Sequence, residues 1–355
     1  MSTIEQQKHI LFIVRGLHNV GGIERVTIVV AGMLLTEGYK VSILCIQGGK
    51  PYFDLPEGIQ LIYLPECPGG SRRKKLRKWI ETHHPSLVIV SGTNRPLFIL
   101  RAIGSSCPII AWEHLNATIS AHPLHNLYRR AYARHATIVT LSEADRESWL
   151  KKIPKASVIC IPNPATLPKA SPSLLESKRI LAIGRLAGQK GFDLLIRAWA
   201  LIESQFPEWV LRIVGSGRKE RDLKKLMAQL GVTERIEMIP ATPDVITEYQ
   251  GASIYALSSR YEGFGLVLVE AMQMGLPVVS FNCPHGPKEI VSNGKTGILV
   301  PDGDIQLFAQ ALANLLQHPK LRAEMGAEAL RQVARYSPKV LATQWATLIE
   351  SCTSH

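Results

Sequence analysis

The stretch Ala252–Phe281, ASIYALSSRYEGFGLVLVEAMQMGLPVVSF, contains one complete structural unit. ASIYALSS is an apolar run of strand length. A glycine turn, EGFG, follows it. From about Leu266 the apolar residues take helical spacing, and PVVSF reads as the next strand. A strand, a crossover helix and a second strand point to a parallel sheet. The turn also poses a chemical question. A glycine turn opening a helix usually meets anions, yet acids, Glu262 and Glu270, stand on both sides of it.

Outward from this unit the alternation continues in both directions. HILFIVRGL reads as a buried strand and loop, and IERVTIVVAGMLLTEG as an amphipathic helix stopped by Gly38. KVSILCI, IQLIYL, SLVIVSG, PIIAWEH and ATIVTLS are further strands. The pattern breaks at residues 160–178, CIPNPATLPKASPSLLESK, where Pro162, Pro164, Pro168 and Pro172 exclude a regular helix or a central strand. It resumes at RILAIGRL. At 355 residues the chain exceeds the size at which a single core usually keeps growing. Two doubly wound, Rossmann-like domains are therefore expected, over 1–165 and 179–336, with a C-terminal helix over 337–355 packing back on the first. Ligands of such folds bind beyond the carboxyl ends of the strands, so the expected site is a cleft between the domains.

Composition narrows the class. No apolar run nears the length of a membrane span. The opening MSTIEQQKH is polar and leads into ILFIV, too short for a signal-peptide core. Six scattered cysteines without a C-x-x-C read as free thiols in a reducing compartment. These features point to the cytoplasm. The net charge is +12, and residues 1–168 hold 20 Lys and Arg against 11 Asp and Glu. A basic first half suggests an anionic partner.

Four glycine loops follow strands: RGLHNVGGIER with Gly21 and Gly22, GRLAGQKGF, VGSGRKE with Gly215, and EGFGL with Gly263 and Gly265. Singly, each is a routine feature of α/β folds. None forms a G-x-G-x-x-G or a P-loop, so NAD and P-loop readings lack support. Arg185 and Lys190 stand five apart in the second loop, where they suit a diphosphate or a solvated surface pair equally. If Gly263, Phe264, Gly265 and Leu266 turn their N–H groups on a diphosphate, Glu262 and Glu270 are free to accept hydroxyls on either side of it. A nucleotide-sugar has that layout. By spacing alone the two acids read as well as a loop acid and an early-helix acid favoured by the dipole.

The residues also resemble a known family. EGFGLVLVEAM with GLPVV is similar to the E-x7-E signature of retaining glycosyltransferases of family 4, which have the GT-B fold. GRLAGQKGFDLLIRAW, LRIVGSG, HGPKEIVSNGKTGILVPDGD and the N-terminal GGIER are similar to further segments of that family. The resemblance implies that Arg185 and Lys190 bind the donor diphosphate and stabilise the leaving group. It implies that Glu262 holds donor-sugar hydroxyls and Glu270 the ribose, with Gly215 and Gly263 to Leu266 along phosphate and sugar. Gly21 and Gly22 would approach the phosphates. His114, in AWEHLNA, would lie near the donor hexose and the acceptor, in chemistry or in positioning. FNCPHGPKEI is similar to bacterial members that build surface polysaccharide or lipopolysaccharide, which implies a UDP-sugar donor as substrate, no cofactor and a lipid-linked or lipopolysaccharide acceptor.

No catalytic metal is expected. Asp302-Gly303-Asp304 fits a D-x-D motif formally but lies in a non-catalytic segment of the resemblance, and His122 and His125 lack an evident third ligand. The run Arg72, Arg73, Lys74, Lys75, Arg77, Lys78, beside Leu76, Trp79 and Ile80, reads as a basic helix with a short apolar stripe. It is expected to rest on the anionic inner face of the cytoplasmic membrane; a solvated helix with its stripe on the sheet is the alternative. Two rival functions remain at this point: a UDP-sugar epimerase of the same fold, and a basic membrane- or nucleic-acid-binding protein. No nucleic-acid module supports the latter.

Overall fold

The apolar runs of the chain form two wholly parallel sheets. In the computed structural model, residues 7–19, 21–68, 70–92, 99, 102–104, 107–114 and 130–354 are described. The first sheet holds β1 (His9–Val14), β2 (Lys40–Cys45), β3 (Gln60–Tyr63), β4 (Leu87–Ser91), β5 (Ile109–Trp112), β6 (Thr137–Thr140) and β7 (Val158–Cys160), in the order β3-β2-β1-β4-β5-β6-β7. The second holds β8 (Arg179–Ile183), β9 (Val210–Val214), β10 (Ile236–Ile239), β11 (Ile254–Leu257), β12 (Val278–Phe281) and β13 (Gly297–Val300), in the order β10-β9-β8-β11-β12-β13. Both are doubly wound orders that reverse direction once, at β1/β4 and at β8/β11. The reversal is where such sheets open a crevice for ligand.

Contact within the chain divides it into two compact units, Met1–Thr166 with Tyr336–His355, and Leu167–Arg335. The proline-rich stretch is therefore not a free tether. Its prolines cannot join a ladder, but its neighbours bond to folded parts. The Ala165 N–H donates to the Tyr336 carbonyl at 2.8 Å, and the Gln273 amide exchanges two 3.2 Å hydrogen bonds with the Leu167 backbone. The final helix, Pro338–Thr353, packs on the first helix, Gly22–Thr36. Glu350 anchors it by accepting from Tyr39 Oη at 2.9 Å and by pairing with Lys8.

Strand burial follows the sequence. Every residue of β1 is buried, as expected for a central parallel strand covered on both faces. In the second unit Phe192, Leu195, Ile196 and Trp199 lie on one face of helix Phe192–Ala200 and enter the core. Each such side chain contributes about 1.5–3 kcal/mol by burial.

The basic helix spans Arg72–His83 and turns its stripe inward. Leu76, Trp79 and Ile80 are buried in the core of the first sheet, and Trp79 stacks on His83 with ring centroids 4.1 Å apart. This corrects the expectation that Trp79 and its apolar neighbours meet a lipid surface. A helix covering a parallel sheet needs those residues for its own packing. Arg72, Arg73, Lys74, Arg77 and Lys78 remain exposed; Lys75 is half-buried and donates to the Pro65 carbonyl. Among the described residues no helix is long and apolar enough to cross a membrane.

Candidate active site

Because β8 and β11 are neighbours, the loops that leave their carboxyl ends run side by side. The loop after β8 carries Arg185 and Lys190, and the loop after β11 carries Ser258 to Gly265. Polar bonds join them closely. Ser258 Oγ donates to the Lys190 carbonyl at 3.0 Å, and the Arg260 N–H to the Gln189 carbonyl at 2.8 Å. The Arg260 guanidinium grips both carboxylate oxygens of Asp193 at 2.7 and 2.8 Å and donates to the Gly188 carbonyl. That pairing holds the Asp193 carboxyl below its usual range. At the closest approach stands Gly191, at φ +61°, where an added Cβ would lie 2.0 Å from the Ser258 carbonyl oxygen. Only glycine fits there.

Within this junction Lys190 Nζ donates to Glu262 Oε1 at 2.7 Å, and Ser259 Oγ donates to the same oxygen at 2.5 Å. The sequence reading gave the cation to phosphate and the carboxylate to sugar; the structure adds that they are partners of each other. Both are largely withdrawn from water, with side-chain exposures of 17% and 7%. Their attraction is therefore weakly screened. Cys283, just after β12, is buried, and its thiol is pushed up to about 12, chiefly by burial and then by the Glu262 charge. Arg185 is exposed, and no acid among the described residues pairs with it.

The glycine turn then opens helix Leu266–Gln273. Gly265 takes φ +95°, a conformation that other residues adopt with strain. Phe264 is buried, so its backbone and not its ring is what the turn presents; Gly263 and Leu266 are half-buried. Glu270, one turn into the helix, is buried and accepts from Tyr249 Oη at 2.9 Å. Gly215, after β9, packs so tightly that an added Cβ would sit 1.9 Å from the Gly184 carbonyl oxygen. These residues, with Arg185, Lys190 and Glu262, all belong to the second unit.

The first unit brings its own group to the β1/β4 reversal. Gly21 caps the first helix and Gly22 begins it. The Glu24 carboxylate lies close over Gly21 and accepts from Asn19 Nδ2 at 3.3 Å, so an acid covers the helix start assigned by resemblance to phosphate. His114 follows β5. It is buried beside Trp112, ring centroids 4.5 Å apart, and its Nε2 bonds Ser91 Oγ at 2.9 Å. Burial pushes its pKa down to about 3, so the imidazole is neutral at physiological pH.

The remaining sequence expectations fall elsewhere. Asp304 accepts from the Leu307 N–H at 2.9 Å as the cap of helix Ile305–Gln317, which gives one acid of the D-x-D a structural task. Among the described residues no three His, Cys, Asp or Glu gather as a metal site, and His122 and His125 lie outside those residues. Ser259, Tyr249, Arg260 and Ser91 were not singled out from sequence. The adjacent serines and arginine before Glu262 were visible there, but nothing in a linear reading gave them partners.

Known proteins match along nearly the whole chain. Residues 20–167 match the family model described as Glycosyltransferase Family 4, and residues 165–332 the model described as Glycosyl transferases group 1. An uncharacterized glycosyltransferase of Haemophilus influenzae is 34% identical over 348 residues, covering 95% of this chain and 99% of its own. The amylovoran biosynthesis glycosyltransferase AmsD of Erwinia amylovora is 25% identical over 352 residues, covering 95% and 98%. Among solved structures, a mutant of S. aureus TarM in complex with Fondaparinux, alpha-GlcNAc-glycerol and UDP superposes with a TM-score of 0.86 at 14% identity, over 97% of this chain and 100% of that one. That likeness gives the chain the two-domain GT-B fold.

Proposed function

The chain belongs to glycosyltransferase family 4, and from that premise we propose that it transfers a hexose or N-acetylhexosamine from a UDP-sugar. The acceptor is a lipid-linked or lipopolysaccharide saccharide in bacterial glycan assembly, and configuration at the anomeric carbon is retained. AmsD, named for the synthesis of a polysaccharide, and TarM, solved with UDP, support the pathway and the donor.

One observation carries the chemistry: the half-buried Lys190 ammonium stands against the buried Glu262 carboxylate at the β8/β11 reversal. The bond from the anomeric carbon to the diphosphate breaks, the acceptor hydroxyl attacks from the same face, and its proton passes to an oxygen of the departing diphosphate. The developing phosphate charge is met by Lys190, by the exposed Arg185 and by the N–H groups that open helix Leu266–Gln273. Glu262, held by Lys190 and Ser259 at one oxygen, presents its other oxygen to sugar hydroxyls. Glu270, fixed by Tyr249, accepts from the ribose diol. His114 contributes as a neutral side chain. These fixed groups take the part that a metal plays in other transferases.

A panel of nucleotide-sugars tests the donor: the UDP-sugar that is used should raise the melting temperature. Transfer to acceptor should survive EDTA, and the product's anomeric configuration should match the donor's. If no UDP-sugar stabilises the protein and a GDP- or ADP-sugar does, the donor assignment falls. Turnover of donor in the absence of acceptor, giving its epimer, would replace the reading by an epimerase.

A further inference from the structure

Three buried polar side chains from three elements meet in the first unit. Thr27 lies on the first helix, Ser91 ends β4, and His114 follows β5. Thr27 Oγ1 and Ser91 Oγ are 2.9 Å apart, and Ser91 Oγ is 2.9 Å from His114 Nε2. Thr27 and Ser91 are at most 1% exposed. Two hydrogen-bond directions satisfy these distances. In one, Nε2–H donates to Ser91, and Ser91 donates to Thr27. The Thr27 proton then has no acceptor, because its hydroxyl has no further partner among the described residues. In the other, Thr27 donates to Ser91 and Ser91 donates to a bare Nε2, so both hydroxyl protons are used. A buried donor left unmade costs about 1–3 kcal/mol. The second direction leaves only the ring Nδ1–H to be met, which a substrate hydroxyl can do, whereas nothing among the described residues can meet the Thr27 proton of the first; substrate binding therefore favours the second direction.

Resting on the reading of His114 as the sugar-facing side chain of the first unit, we infer that Ser91 is a positioning residue that holds His114 as its Nδ1–H tautomer. The Nδ1 edge of the ring is then a donor. No described residue bonds Nδ1, and the edge is suited to the oxygen of a sugar hydroxyl. The depressed ring pKa fits the same state, since a ring that stays neutral keeps one proton to place. His114 therefore neither gives nor takes a proton in transfer; it orients.

Selective 15N-histidine labelling of the full chain reads the tautomer directly, with His114 signals assigned by their loss in His114→Gln. At pH 7 the parent should show Nδ1 as a protonated, pyrrole-type nitrogen and Nε2 as a bare, pyridine-type one. Ser91→Ala removes the donor to Nε2 and should bring in the Nε2–H form. Thr27→Val should keep the parental tautomer, because Ser91 then has only Nε2 to donate to. Ser91→Ala should also lower kcat about tenfold, the value of one hydrogen bond of roughly 1.4 kcal/mol, with Thr27→Val within about twofold of the parent. A parental proton on Nε2, or a Ser91→Ala spectrum like the parent's, overturns the inference. The spectra need no substrate. If they come out as expected and no sugar is transferred, the functional reading alone fails; transfer with the opposite tautomer fells the inference alone.

Discussion

The Lys190 ammonium donates to the Glu262 carboxylate at 2.7 Å across a sequence separation of 72 residues. Removing one partner of such a pair strands the other charge away from water. Lys190→Ala should therefore destabilise the second unit by about 3 kcal/mol, at the low end for a buried pair because Lys190 keeps some exposure. Glu262→Gln in the Lys190→Ala background should recover most of that loss. Transfer should fall about 10²–10³-fold in Lys190→Ala, the usual loss for a group meeting transition-state charge. Denaturant unfolding and kcat are the two measurements. Parent-like kcat in folded Lys190→Ala would remove Lys190 from the chemistry.

The pair also marks the limit of the linear reading. The alternation of apolar runs disclosed nearly every strand, because a strand covered on both faces must be apolar along its length. The E-x7-E spacing located Glu262 and Glu270 on one turn and its helix. What periodicity does not carry is the order of strands in a sheet. Lys190 meets Glu262 because β8 adjoins β11, and His114 meets Ser91 because β4 adjoins β5. The Arg72–Lys78 run failed differently: its stripe was visible, but whether Trp79 faces a sheet or a membrane depends on what stands opposite. The short β7 was hidden by the prolines that follow it.

Tyr249 Oη donates to Glu270 Oε2 at 2.9 Å in a buried setting. On the proposal that Glu270 holds the ribose, Tyr249→Phe should raise the UDP dissociation constant about tenfold, since a hydrogen bond to a charged group contributes roughly 1.5–3 kcal/mol and part of it survives relaxation. Isothermal titration with UDP measures it. Unchanged affinity in Tyr249→Phe and in Glu270→Ala together would withdraw the ribose assignment.

His114 gives the stability a pH dependence. Its folded pKa is pushed down to about 3 by burial, against 6.5 when unperturbed. Between those values the unfolded chain holds the extra proton, so stability falls as pH drops below about 6.5. From pH 7 to pH 5 the loss through this one group is about 2 kcal/mol. His9, lowered mainly by burial, acts in the same direction. Unfolding free energies of the parent and of His114→Gln at the two pH values should therefore converge on acidification. A constant difference between them would mean that His114 is not held neutral.

The basic helix Arg72–His83 supplies the last expectation. With Leu76, Trp79 and Ile80 in the core, any hold on a membrane must come from charge alone. Arg72, Arg73, Lys74, Arg77 and Lys78 are exposed, and of these Arg77 is paired with Glu81 at 2.9 Å. Exposed cations at an anionic leaflet contribute about 1 kcal/mol each. On the proposal of a lipid-linked acceptor, the four outside that pair should give reversible binding to such a leaflet. The protein should pellet with anionic vesicles and not with neutral ones. Raising ionic strength to about 0.5 M should release it, because screening shortens the reach of each charge. Trp79 fluorescence should not shift on binding, since the ring stays packed on His83. Arg72→Ser, Arg73→Ser and Lys74→Ser combined should abolish pelleting while leaving the affinity for UDP unchanged. If that variant still pellets like the parent, this helix is a solvated face of the first sheet, and an acceptor at the membrane must be reached by another surface.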